Sequence, residues 1–144
     1  MMEVDAFLAD SVQAAGGKLH ALGIGWQVIQ APSFPVRHDR IGLGLVVRTT
    51  PDEAGAHTLT LSLLDPAGAP RLFGDQPTFE ASFASPDGEG TATLALNLDG
   101  LVFETEGAHT LVLGIDGTEA VRLPFRVQTR PEPPASEHRT GVYL

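Results

Sequence analysis

A period of two dominates this chain. In His57-Thr58-Leu59-Thr60-Leu61-Ser62-Leu63 the leucines take alternate positions and hydroxyls fill the gaps. Thr91–Leu98, His109–Ile115 and Val121–Val127 repeat the pattern. Successive side chains of a strand point to opposite faces, so each segment has one apolar and one wet face. Antiparallel strands that cover a core on one side have this signature. The alternation predicts an all-β domain and leaves no apolar stripe of helical period.

Turn chemistry sits between the alternating runs. Asp116-Gly117 separates two of them and predicts a two-residue hairpin. Asp65-Pro66-Ala67-Gly68 suits a type I turn closed by a left-handed glycine. Asp87-Gly88 and Asp99-Gly100 are read as further turns. Pro124 interrupts its run and, lacking an N–H, predicts an edge position or a bulge.

The first third is less regular. Val4–Asp10 reads as a strand, Ser11–Gly17 as a loop or short helical turn, and Lys18–Leu22 as a returning strand. Trp26–Gln30 and Arg40–Arg48 follow as strands. The expected total is about eight or nine strands at the spacing of an immunoglobulin-like antiparallel β-sandwich. Residues 1–128 form that single domain. Residues 129–144, with three prolines between Arg130 and Glu137, read as a flexible tail.

Charge and cysteine content narrow the partners. Eighteen acidic residues against nine basic ones give a net charge of −9. An acidic chain is repelled by phosphate backbones and anionic lipid, so neither nucleic acid nor membrane is expected as a partner. Cysteine is absent, which removes disulfides, thiolate metal sites and a cysteine nucleophile. The acidic Met1–Asp5 opening lacks the basic start of a secretion signal, and no apolar run reaches the roughly 18 residues of a membrane helix. The expected location is the cytoplasm.

Three groups of residues in this sequence resemble the opening of an uncharacterised family of small bacterial proteins. They are Ala6-Phe7-Leu8-Ala9-Asp10, Gly16-Gly17-Lys18-Leu19 and Leu22-Gly23-Ile24-Gly25-Trp26. The segment from Glu106-Gly107-Ala108-His109-Thr110 through Asp116-Gly117 to Phe125-Arg126-Val127 is similar to that family's close. The resemblance spans about residues 4–128. It implies an immunoglobulin-like sandwich and supplies no catalytic residue. Many such sandwiches carry Gly-x-Tyr near the start of the penultimate strand, where the hydroxyl pins a corner. Here Gly107-Ala108-His109 has an imidazole in the tyrosine's place.

Site chemistry is sparse. His20, His38, His57, His109 and His138 show no metal-ligand spacing, although His57 and His109 each begin a strand and could meet across a sheet. Asp75, Asp87 and Glu89 fall in loops without the ligand count of a calcium site. Glu104 and Glu106 are read as solvent-facing beside Phe103. Gly23-Ile24-Gly25 and Gly42-Leu43-Gly44 lack the third glycine and helix of a nucleotide site. Gly42 and Gly44 would instead sit under a packed group such as Trp26, the only tryptophan, itself read as a core plug.

No catalytic, cofactor-binding or metal-binding residue is therefore assigned, and no cofactor or enzymatic activity is expected. The expected role is a non-enzymatic protein-binding or assembly module, its partner another protein or a second copy of itself. A structural part of a larger bacterial or phage assembly is the alternative. A metal-dependent binder or hydrolase is a third, requiring at least two of His20, His38, His57 and His109 beside a carboxylate. Thr140-Gly141-Val142-Tyr143-Leu144 is apolar and β-prone, so it could add a strand to a neighbour.

Overall fold

The alternating segments are strands in the computed structural model, which describes residues 2–130 except 72, 74 and 89. Eleven strands are described: β1 (Glu3–Ala9), β2 (Ser11–Ala15), β3 (Lys18–Leu22), β4 (Val28–Ala31), β5 (Val36–Thr49), β6 (Gly55–Leu64), β7 (Pro70–Arg71), β8 (Phe79–Ser85), β9 (Gly90–Phe103), β10 (Gly107–Ile115) and β11 (Thr118–Thr129). A single 3-10 turn, Pro51–Glu53, is the only helical element among the described residues. The all-β expectation holds. The strand count exceeds the eight or nine expected, because β2, β7 and β8 carry little or one-sided apolar pattern.

Two sheets enclose one core. The first has the order β1-β5-β9, and the second β4-β11-β10-β6 with β7 and β8 both paired to β6. Leu43, Leu45 and Val47 of β5 meet Leu59 and Leu61 of β6 and Leu111 and Leu113 of β10, all completely buried. Each such side chain removed from water contributes roughly 1.5–3 kcal/mol, so this contact dictates which face of each strand turns inward.

The hairpins follow the local chemistry. Asp116 (φ 52°) and Gly117 (φ 83°) form the β10–β11 turn. In the Asp65 turn, the Gly68 N–H reaches the Asp65 carbonyl, and Asp65 Oδ1 accepts from the N–H groups of Ala67 and Ala69. Ser11–Ala15, expected as a loop or helical turn, is instead β2. Ala15 pairs with Lys18 across Gly16-Gly17, both at positive φ, a two-residue hairpin that its one buried side chain, Val12, did not advertise.

Asp99-Gly100 is also corrected. It lies inside β9, with Asp99 opposite Arg40, and forms no turn. Gly100 has φ 73°, and a Cβ there would lie 2.5 Å from the Arg37 guanidinium. At this point the buried residues of β9 change from Leu94 and Leu98 to Leu101 and Phe103, so the core-facing parity reverses. The glycine serves a local reversal of face in a strand that continues.

The β2–β3 hairpin lies against the outer face of the first sheet. Gly42 and Gly44 belong to that face, but Trp26 does not cover them. A Cβ on Gly42 would lie 2.9 Å from Ser11 Cα, and one on Gly44 would collide with the Phe7 ring. Asn97, the cross-strand partner of Gly42, fastens the hairpin with two bonds. Its Oδ1 accepts from the Val12 N–H at 3.0 Å, and its Nδ2 donates to the Val12 carbonyl at 2.9 Å.

Pro124 occupies an edge, as its chemistry requires. Strand β4 pairs with β11 only from Arg126 to Thr129, so upstream of Arg126 β11 has β10 as its one described neighbour. The Arg126 N–H points away from β10, to the Gln27 carbonyl. Alternation then turns the Pro124 and Arg122 backbone groups outward too, so the missing proline N–H costs no ladder bond. Pro124→Val would restore a donor to this open edge. It is expected to increase self-association at high concentration, measured by light scattering, with little change in unfolding midpoint. A variant as monodisperse as the parent would show that the proline does not guard the edge.

Candidate functional site

The histidines do not converge. His57 and His109 lie at opposite ends of the β6–β10 pair, because Leu59 sits opposite Ile115 and Leu64 opposite Thr110. His20 is on β3, and His38 is on β5, with its ring 6.5 Å from that of Trp26. His138 is outside the described residues. Among the described residues no three His, Asp or Glu side chains are grouped to hold a metal ion.

His109 is a core residue, only 2% exposed. Its ring stacks on Phe125 with centroids 5.8 Å apart and meets the edge of Phe103 at 5.0 Å. Nδ1 donates to the Gly107 carbonyl at 3.1 Å. Burial holds its pKa below the usual histidine value, so the imidazole is neutral at pH 7. That hydrogen bond is thus local, to backbone two residues upstream.

His57 is the opposite case. Nδ1–H donates to Asp116 Oδ2 and Nε2–H to the Glu53 carbonyl, both at 2.6 Å, while the ring stacks on Phe83. Both nitrogens face acceptors, which favours the imidazolium. The Asp116 hydrogen bond, then the bond to Glu53, raises the His57 pKa. The His57 hydrogen bond lowers that of Asp116. A raised folded-state pKa gives stability that is fully present below the ordinary histidine pKa and lost as pH climbs through the raised value. The depressed Asp116 acts in reverse, losing its contribution as pH falls through its lowered value. The urea midpoint is therefore expected to fall as pH rises above the ordinary histidine pKa and through the raised one, and His57→Gln is expected to flatten that decline. An equal decline in both chains would remove His57 as its source.

The acidic candidates also find ordinary partners. Glu104 pairs with Arg71 at 2.5 Å, and Glu106 accepts the Thr129 N–H at 2.5 Å. They are not a carboxylate dyad. Asp75 and Asp87 are exposed, and Glu89 is outside the described residues.

Trp26 does not plug the core. It is half-buried, edge-on to Phe125 with centroids 5.8 Å apart, so it packs against the core from one side. It forms one wall of a cleft of about 520 Å³, lined mainly by apolar groups. Phe7-Leu8 on one side and Leu123-Pro124-Phe125-Arg126 on the other are consecutive residues. Consecutive strand residues point to opposite faces, so they line one cleft together only when the strand presents its edge. The cleft is thus the gap between the edges of β1 and β11, with Arg126 at its rim. The β1 edge is partly closed, because the Leu8 carbonyl accepts the Gly25 N–H at 2.9 Å, and the open edge is that of β11. A second, smaller pocket on the other side of Trp26 holds Asp10, His38 and Arg130.

A model of a family of unknown function, DUF6941, matches residues 4–128. The chain belongs to DUF6941. No curated protein sequence matches this DUF6941 chain. Among solved structures it is similar to β-glucosidase from Listeria innocua in complex with glucose, at TM-score 0.53 and 12% identity. The same enzyme in complex with isofagomine gives TM-score 0.51 and 11% identity. These matches cover 89% and 88% of the DUF6941 chain, which spans 16% of the glucosidase's length in both. At such identity the likeness concerns the fold alone.

Proposed function

We propose that this domain is a non-enzymatic module that binds an extended protein segment in the cleft between β1 and β11. The observation that supports this reading is the cleft itself: about 520 Å³, mainly apolar, and bounded by two strand edges. Strand edges offer backbone groups, and an apolar floor takes alternate side chains, which is how sheet edges receive peptides. The separation of the histidines weighs against the metal-dependent binder or hydrolase, which needed two of them beside a carboxylate. The acidic balance weighs against nucleic acid and anionic lipid. A cytoplasmic location remains part of this proposal, and no described helix is long and apolar enough to cross a membrane.

Within the same proposal the two sheets are an immunoglobulin-like sandwich over residues 1–128, with His109 replacing the corner tyrosine. One feature favours the assembly alternative. Leu22 and Ile24, 72% and 61% exposed, put an apolar tip beside the cleft, suited to contact with a neighbouring protein.

A photo-crosslinking amino acid at Val28 or Leu123, inside the cleft, is expected to give crosslinks to a peptide segment in the native host, read by mass spectrometry both between chains and within one chain. One at Lys18, on the outer hairpin, is expected to give none. Adducts from Lys18 alone would overturn the cleft as the binding surface. Adducts equal in mass to two copies of the chain would favour self-assembly.

A further inference from the structure

We infer that the cleft's occupant is a segment of this same chain, Thr140-Gly141-Val142-Tyr143-Leu144. The inference rests on reading the cleft as a peptide-binding site and adds the identity of the peptide. Residues 131–144 lie outside the described structure, so the support comes from the cleft, the tether length and the sequence.

Three observations point to this occupant. First, the described chain ends beside the cleft. The Arg130 N–H bonds to the Ala31 carbonyl, four residues along β11 from Arg126 at the cleft rim, or roughly 13 Å. Second, the tether is long enough. Residues 131–142 can span up to roughly 40 Å, more than twice the distance back to Trp26 and Phe125. A tether of this length holds its end at a local concentration on the order of millimolar, so even weak affinity fills the site. Third, the chemistry matches. Val142-Tyr143-Leu144 is the one apolar run after Val127, and it would enter a cleft walled by Trp26, Phe7, Val28 and Leu123. The tether carries Glu132 and Glu137, opposite in charge to Arg126, against one like charge, Arg139.

The backbone sets the mode. On the open edge of β11, Arg122 offers an N–H and a carbonyl, but Pro124 offers only a carbonyl. A segment seated there cannot complete a regular ladder, and apolar side chains in the cleft must supply most of the affinity. The site therefore favours one tethered segment over repeated edge-to-edge addition.

The chain contains its own probe, because Trp26 is its only tryptophan and Tyr143 its only tyrosine. With the full chain excited in the tyrosine band, Tyr143 emission is expected to be largely lost to Trp26, independently of dilution. Val28→Arg changes an exposed cleft residue, and Val142→Asp leaves the described domain untouched. Each is expected to restore tyrosine emission and to speed exchange of the Arg122 amide, with an unchanged circular dichroism spectrum. The inference is overturned if emission is the same in the parent and both variants. It is also overturned if energy transfer fades on dilution, which would mean that a second copy supplies the segment. Cleft adducts from the crosslinking experiment together with unchanged Tyr143 emission would leave the binding reading standing and remove this one.

Discussion

The Phe103→Ala chain is expected to unfold with about 3–5 kcal/mol less stability than the parent, the cost of removing a fully buried aromatic ring. Phe103 is 1% exposed and closes one end of the core. Its ring meets His109 at 5.0 Å and Phe125 at 5.8 Å, both edge-on, so its loss also removes two aromatic contacts. The cavity would open beside His109, whose neutral form depends on exclusion of water. Against a typical total of about 5–15 kcal/mol, this is a large fraction. A melting temperature lower by roughly 10–20 °C follows for a domain of this size. Val102→Ala is the control, since Val102 is the next residue and is 50% exposed; it is expected to change stability by less than about 0.5 kcal/mol. A Phe103→Ala chain within about 1 kcal/mol of its parent, judged by urea unfolding against the scale of single-site effects, would mean that the core closes over the gap.

The same cluster shows how far local pattern reaches. Strands β6, β10 and β11 were legible because each alternates over seven or more residues, and Asp116-Gly117 joined two of them unambiguously. His109 was legible as a strand residue on the core-facing parity, because it alternates with Leu111 and Leu113. Asp99-Gly100 misled for a physical reason: glycine reports a positive φ, and a positive φ serves a mid-strand reversal of face as readily as a hairpin. The β8 sequence Phe79–Ser85 was passed over although it alternates, because Ala and Ser weaken its contrast.

What covers a sheet was harder to read than the sheet. Gly42 and Gly44 announced a close approach, but the covering groups, Phe7 and the Ser11 backbone, lie more than 30 residues upstream. The cleft was invisible for the same reason. Its walls come from β1 and β11, separated by over 100 residues, and it exists because β4 stops pairing with β11 at Arg126. Trp26, one of its walls, reads in the sequence as a core plug, because nothing local shows that its ring is left half outside. His57 looked like an ordinary strand-end residue, because nothing in the sequence near it reveals Asp116.

Gly42→Val is expected to produce the second large effect, by lifting the β2–β3 hairpin. Even a Cβ at this position would lie 2.9 Å from Ser11 Cα and 3.1 Å from the Ala9 carbonyl oxygen. Both obstacles are backbone, so no side-chain rotation relieves them, unlike the Phe7 ring above Gly44. Overpacking of this kind costs about 1–3 kcal/mol, and the valine methyls push toward the upper end. Asn97 makes the mechanism testable, because it sits opposite Gly42 and fastens Val12 through both of its amide atoms. Asn97→Ala alone is expected to cost about 1–3 kcal/mol, since it removes two bonds and leaves a partly buried peptide group unsatisfied. The double variant should then lose clearly less than the sum, because a hairpin already lifted by the Gly42→Val substitution no longer uses Asn97. A coupling of about 1 kcal/mol or more is expected from residues that share one contact. Urea unfolding of the four chains measures it, and exchange of the Val12 amide reports the hairpin directly, rising in each single variant. Strict additivity, with the Val12 amide still protected in Gly42→Val, would place the strain in β5 itself and leave the hairpin docked.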